Sequence, residues 1–330
     1  MGAPGSERAI VSITRWARRD EWRPRFDAVI EAHFAPVLGA LDLPADELPE
    51  VLGEAFAPLF GCVLDDFVTC DFGPGQPSIV ADYLKRRGFK ERAPVKSYLR
   101  ALEGSVMSVY EVVATAPGEH VLLRDLVRGG EPLPVEARGA SQSLAPGDHL
   151  AARVLGVNGR TYLAAGVLDL PPARAGELAQ NLRRLARWFR EQLARSARKG
   201  VTLADLEAAA PLDDLLLSKL APLFTCVWLQ TALGDVLGIR LEGDGIGSLL
   251  ADMLAELPDS EAEAALAEAR PELAGRSPRQ AARSRAGRRQ VAQWLKYQEA
   301  VERDGADARQ GQPPPDLGWM WQALGIEHLR

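Results

Sequence analysis

The run Leu150-Ala-Ala-Arg-Val-Leu-Gly-Val157, the dipeptide Asn158-Gly159 and the run Thr161-Tyr-Leu-Ala-Ala-Gly-Val-Leu168 together spell a β-hairpin. Asn-Gly between two aliphatic, β-branched runs is a strong hairpin signal, because both central residues of a type I′ turn need positive φ. Three runs of the same kind precede it, Val109 to Ala114, Val121 to Val127 and Leu133 to Ala137. Pro117-Gly118, Arg128-Gly-Gly130 and Pro146-Gly-Asp148 separate them as turn signals. Five strands in about sixty residues expose fewer edges when the sheet closes on itself. The expectation over 109–170 is therefore a small five-stranded antiparallel β-barrel.

On both sides of the barrel the apolar period is helical. Phe26, Val29, Ile30, Phe34, Val37, Leu38 and Leu41 fall on one stripe, and the segment from Leu48 to Phe67 is dense enough in apolar residues to be a more buried helix. Asp71-Phe-Gly-Pro-Gly-Gln-Pro77 breaks the pattern, and Ser78 is placed to cap the next helix. Beyond Pro171-Pro172, an Arg-rich helix carries Leu182, Leu185, Trp188, Phe189 and Leu193 on its apolar side. The fold class is α+β, mainly α-helical with the small barrel at its centre. The domains are an N-terminal helical one (1–108), the barrel (109–170), a C-terminal helical one (171–304), and a linker with a Trp-rich terminal helix (305–330). A chain of 330 residues, 47% of them hydrophobic, can build such modules without disulfides or metals. There is an internal echo: Ala57-Pro-Leu-Phe-Gly-Cys-Val63 recurs as Ala221-Pro-Leu-Phe-Thr-Cys-Val227. It places Cys62 and Cys226 on equivalent helix faces as small apolar fillers.

The chain has three cysteines and four histidines in no ligand spacing, which argues against a structural metal and for a reducing cytoplasm. The longest uncharged stretch, from Leu220 to Gly234, is shorter than the roughly 20 residues a membrane-spanning helix needs. The N-terminus lacks an apolar signal core, and its Met-Gly-x-x-x-Ser start is too loose a pattern to imply a lipid. Gly243-Asp-Gly-Ile-Gly-Ser248 sits in a helical context without a following Lys, so it reads as a helix connection. Asp65, Asp66, Asp71 and Asp82 read as solvated helix-face carboxylates, although His33 could join them to make a dispersed acid–base site. The expectation is no catalytic residue, no cofactor and no metal.

Charge is patterned more sharply than chemistry. The net charge is −6, yet 85–100 holds seven basic residues against one acid, 174–199 eight against two, and 276–296 seven against none. Such blocks steer partners or bring the chain's own segments together. If they meet phosphates, the contacts expected are Lys85, Arg86, Arg87, Lys90, Arg183, Arg184 and Arg187, with Tyr83, Phe89 and Tyr98 stacking on bases. The barrel itself has a net charge of −2 and two aromatics, Tyr110 and Tyr162. That suits a structural or protein-binding barrel better than an oligonucleotide-binding one.

Near the C-terminus, Pro271-Glu-Leu-Ala-Gly-Arg-Ser-Pro-Arg-Gln-Ala-Ala282 is followed by Gly287-Arg-Arg-Gln-Val-Ala-Gln-Trp-Leu295. This segment, 271–295, resembles the toxin-binding domain of Xre/MbcA/ParS-type antitoxins, with their Leu-x-Gly-Arg/Lys-Thr/Ser-Pro turn and Gly-Arg-Arg helix opening. The rest of the layout resembles bacterial proteins in which helices surround a small barrel and the chain ends in a Trp-rich tail. In the antitoxin family the domain holds a toxin, often one that consumes NAD, while a separate helix-turn-helix binds DNA. No recognisable helix-turn-helix precedes it here. The resemblance implies a protein partner, a toxin, met by Arg276, Pro278, Arg288, Arg289 and Trp294. Trp319 and Trp321 in the terminal helix are either docked on the chain's own core or offered to the same partner. The function expected is a cytoplasmic, non-catalytic binding or regulatory protein, antitoxin-like, with nucleic-acid binding through the three basic segments as the alternative.

Overall fold

The computed structural model describes residues 2–72, 76–196, 212–238 and 270–308, together with 320, 321, 324, 326 and 329. Trp319 and the segment 243–248 lie outside them. The chain divides into two units, Met1–Ala251 and Asp252–Arg330. The first unit opens with six helices: α1 (Ser6–Ala17), α2 (Arg23–Leu41), α3 (Leu48–Leu52), α4 (Phe56–Thr69), α5 (Ile79–Arg87) and α6 (Ala93–Glu103). The strands follow as β1 (Met107–Ala116), β2 (His120–Asp125), β3 (Leu133–Glu136), β4 (His149–Val157) and β5 (Arg160–Leu170), with a short α7 (Ala140–Ser143) between β3 and β4. Among the described residues α8 (Pro172–Ser196), α9 (Leu212–Leu217) and α10 (Ala221–Leu237) come next. The second unit contains α11 (Pro278–Ala281) and α12 (Arg285–Ala308).

Local chemistry sets the boundaries. Ser78 caps α5, its hydroxyl accepting the Ala81 N–H at 3.0 Å. Asn158 and Gly159 both take positive φ, 52° and 79°, as the tight hairpin between β4 and β5 requires. The strands close in the order β1-β2-β3-β5-β4 and back to β1, a small closed five-stranded barrel. One expectation is corrected: the barrel is mixed, because β3 pairs with β5 in parallel, at Glu136↔Tyr162. Five is an odd number, and strands alternating in direction around a closed ring cannot all be antiparallel to both neighbours. Tyr110, Val112, Val121, Leu123, Val135, Leu150 and Ala152 fill the interior.

The barrel is packed on the helices through β5 and α4. A Cβ on Gly166 would come within 2.7 Å of Cys62 Cα, and one on Gly61 within 3.1 Å of Gly166 Cα. Two glycines thus let helix and strand approach backbone to backbone. The repeated segment begins α4 and α10, which pack on each other and on α2. Leu59, Cys62 and Val63 are buried in one, and Leu223, Cys226 and Val227 in the other. Burial pushes both thiols up, Cys226 to about 12, so they are protonated fillers. The one position at which the copies differ is explained by its surroundings: Gly61 meets β5, whereas Thr225 turns its hydroxyl to His33. Among the described residues no helix is long and apolar enough to cross a membrane.

Candidate functional site

The segment 271–295 is held by its own turn and cap. Leu273 is fully buried, Ala274 and Gly275 turn the chain with φ of 58° and 71°, and Ser277 caps α11 in a reciprocal capping box with Gln280. Pro278 is buried in the first turn of α11, where its missing N–H costs nothing. Gly287 lies against the end of α11, where a Cβ would fall 2.8 Å from the Ala281 carbonyl carbon. Val291, Ala292 and Leu295 of α12 then form a core with Leu273, Ala281, Met320, Trp321 and Ile326.

That arrangement sorts the expected partner residues. Trp321 is fully buried in this core. Trp294 is half-buried against it, with the Arg270 guanidinium 6.0 Å above its ring. Arg276 spans the motif, its Nη2 donating to Gln290 Oε1 at 3.1 Å. Arg288 donates from Nε to the Ala282 carbonyl at 3.1 Å but stays exposed, as do Arg289, Arg279, Arg283, Arg285 and Lys296. What the motif leaves to solvent at the start of α12 is a cationic surface.

The basic residues of the first unit are also exposed but sit on different supports. Lys85, Arg86 and Arg87 end α5, which packs on α1, α4 and α6; Arg86 pairs with buried Asp82 at 2.8 Å and Arg87 lies over Trp16. Lys90 lies 5.6 Å from the ring of Phe89, which is 76% exposed. Tyr83 and Tyr98, expected as stacking partners, are buried in the core instead. Arg183, Arg184 and Arg187 line the exposed side of α8, which packs on β1, β4 and α9. Arg183 reaches back to the Leu126 carbonyl at 2.5 Å.

The reading of Asp65, Asp66 and Asp82 as solvated carboxylates is overturned, since all three are buried; Asp71 alone is exposed. Asp66 Oδ1 accepts from Arg153 Nη2 at 2.8 Å, and Arg153 Nη1 donates to the Ser105 carbonyl at 2.6 Å. A carboxylate only accepts, so His33 donates from Nε2 to Asp66 Oδ2 at 3.3 Å, while its Nδ1 meets Thr225 Oγ1 at 2.7 Å. Burial alone would raise the Asp66 carboxyl, but the His33 hydrogen bond and the Arg153 charge outweigh it and hold it below its usual range. Burial pushes Asp65 up to about 6, against the pull of Arg153 and of the Gly166 and Ala165 N–H groups.

Sequence reasoning missed Arg153. The β4–β5 register shifts between Ala152 and Val154, and that bulge turns the intervening guanidinium out of the barrel toward α4. Of the dispersed-site reading, His33 and Asp66 therefore do meet, but with His33 at 0% exposure and both of its ring nitrogens occupied. They tie α2, α4, α10 and β4 together. Among the described residues no group of three or more His, Cys, Asp or Glu is placed to hold a metal.

A cleft of about 600 Å³ opens where the β1–β2 and β4–β5 turns flank β3. Glu119 and Glu136 face His120, Arg138 and Arg160 across it, and Arg160 pairs with Glu136 at 2.9 Å. Its charges are balanced, and no Phe, Tyr or Trp lines it. Compared with protein-family models, with curated proteins and with solved structures, the chain matches none.

Proposed function

We propose that the chain is a non-catalytic, antitoxin-like regulatory protein of the cytoplasm that holds a protein partner, a toxin, on the start of α12. One observation supports this reading above the others. The motif's glycines, cap and proline all act inside the second unit, which leaves Arg288 and Arg289 exposed to solvent at the start of α12. A surface of guanidinium groups on a rigid helix suits bidentate recognition of carboxylates on a partner. The test is affinity purification of the full chain from its native host after nuclease treatment, wild type beside Arg288→Glu/Arg289→Glu. The reading expects a discrete protein retained by wild type and lost from the variant. An identical set from both chains, or none from either, refutes it.

A second reading, nucleic-acid binding, is favoured by the exposed Phe89 among Lys85, Arg86, Arg87 and Lys90. Phosphate contacts make affinity fall steeply with salt, so a mobility-shift titration across ionic strength tests it. A shift that weakens with salt and is lost in Lys85→Glu/Lys90→Glu supports it; no shift at low salt removes it.

A further inference from the structure

A second, unrelated feature lies on the outer side of α4. Phe60, Leu64 and Phe67 recur at i, i+4 and i+7, on the side of the helix opposite Cys62 and Asp66. They would be a half-exposed apolar stripe, but the corner between α1 and α2 leans over them and encloses a cavity of about 290 Å³. Phe26 closes one wall, meeting Phe67 edge-on at 5.1 Å between ring centroids. The floor is aromatic and aliphatic; the mouth is charged.

Three arginines stand at that mouth, Arg18, Arg19 and Arg23, against one acid, Asp20. Arg19 is engaged, pairing with Glu21 at 2.7 Å and lying 4.2 Å over the Trp16 ring. Arg23 touches Asp27 at 3.2 Å, but both groups are well exposed, and such pairs are weak and easily exchanged. Arg18 makes no ion pair among the described residues and is exposed. The exposed Arg18 guanidinium and the weakly held Arg23 one, beside an apolar chamber, complement a molecule with a hydrocarbon body and one carboxylate head. The volume is at the small end for ligand cavities, which selects a small molecule over a peptide segment. The sign of the mouth selects an anion over a neutral or cationic head.

We infer that this pocket is a binding site for a small amphiphilic carboxylate, its hydrocarbon chain packed on Phe26, Phe60, Leu64 and Phe67 and its head held by Arg18 and Arg23. The site is independent of the α12 surface and of the reading built on it. Titration calorimetry of the full chain with octanoate, octanol and octyltrimethylammonium tests it, because the three probes share a tail and differ in the head. One octanoate is expected to bind per chain. Octanol should bind at least about tenfold more weakly, as should octanoate to Arg18→Glu, a loss of one charge-assisted contact. The cation should not bind. Leu64→Trp, which fills the chamber, should abolish octanoate binding while leaving the unfolding midpoint near wild type. Arg18 is exposed, so its variant keeps the test decisive even if Leu64→Trp fails to fold. No saturable octanoate binding at millimolar concentration, equal affinity for all three heads, or indifference to Arg18→Glu overturns the inference.

Discussion

Arg153→Met should be among the most damaging single substitutions in the first unit. The residue is 3% exposed, and its guanidinium donates at 2.8 Å to Asp66 and at 2.6 Å to the Ser105 carbonyl. Without it Asp66 stays buried with His33 at 3.3 Å as its remaining side-chain donor, and Asp65 loses the one positive charge that lowers it. Removing one partner of a buried pair costs about 3–5 kcal/mol, a large share of the roughly 5–15 kcal/mol that holds a protein folded. The loss depends on pH in a fixed direction. With the cation gone, the Asp65 carboxyl, already above its unfolded value, rises further, so the contribution it makes is present at low pH and lost as pH rises. The Asp65 share of the deficit is thus largest at neutral pH and above, shrinks as pH falls toward about 6, and is gone below that, where Asp65 is protonated in both chains. Replacing the whole pair, Arg153→Met with Asp66→Leu, should recover much of the loss, because apolar groups can substitute for a buried pair at little cost. Urea unfolding followed by tryptophan fluorescence, at about pH 7.5 and about pH 5, measures all three chains. A single-variant loss under about 1 kcal/mol, the range of exposed pairs, or a double variant no better than the single, would refute the reasoning.

Asp65→Asn should remove a pH dependence and not simply stability. The wild-type carboxyl moves from 3.8 to about 6 on folding, so its contribution is lost as pH rises between those values. The variant should be flatter across that window and more stable at neutral pH by up to about 3 kcal/mol; urea midpoints against pH would show the opposite if the group is ionised at little cost. Gly166→Ala forces a Cβ onto the Cys62 backbone and should cost about 3 kcal/mol, visible as a lowered unfolding midpoint. Ser277→Ala deletes the α11 cap and should destabilise the second unit by about 1 kcal/mol in hydrogen exchange, whereas Arg288→Glu should leave that exchange unchanged.

The local elements were readable because their signals are local. Asn158-Gly159 set the hairpin, Ser78 and Ser277 marked helix starts, and the five aliphatic runs match β1 to β5 within a few residues. What could not be read depends on tertiary pairing. The parallel β3–β5 contact follows from closure of an odd ring and leaves no mark in either strand. The buried ion pair was hidden because Asp65-Asp66 was weighed by the average exposure of aspartate. A signal was there. Leu59, Cys62, Val63, Phe67 and Val68 leave α4 little polar surface on which to place two acids. Buried acids require a buried base, and Arg153 is the one charge in Leu150 to Val157. The bulge that aims it cannot be inferred from composition. At the C-terminus the segment 271–295 was visible, but which residues are core and which are surface shows only in the folded unit: Pro278 is buried, as is Trp321 beyond the segment, whereas Arg288 and Arg289 are exposed.

The measurement that bears most directly on a protein-holding role is site-specific photo-crosslinking in the native host, with the photoreactive side chain at position 289 and a control at position 85. Both positions are exposed, one on the cationic start of α12 and the other at the end of α5. The account predicts a discrete, nuclease-resistant protein adduct from 289 and none from 85. An adduct from 85 alone, or one at either position that nuclease removes, would contradict it.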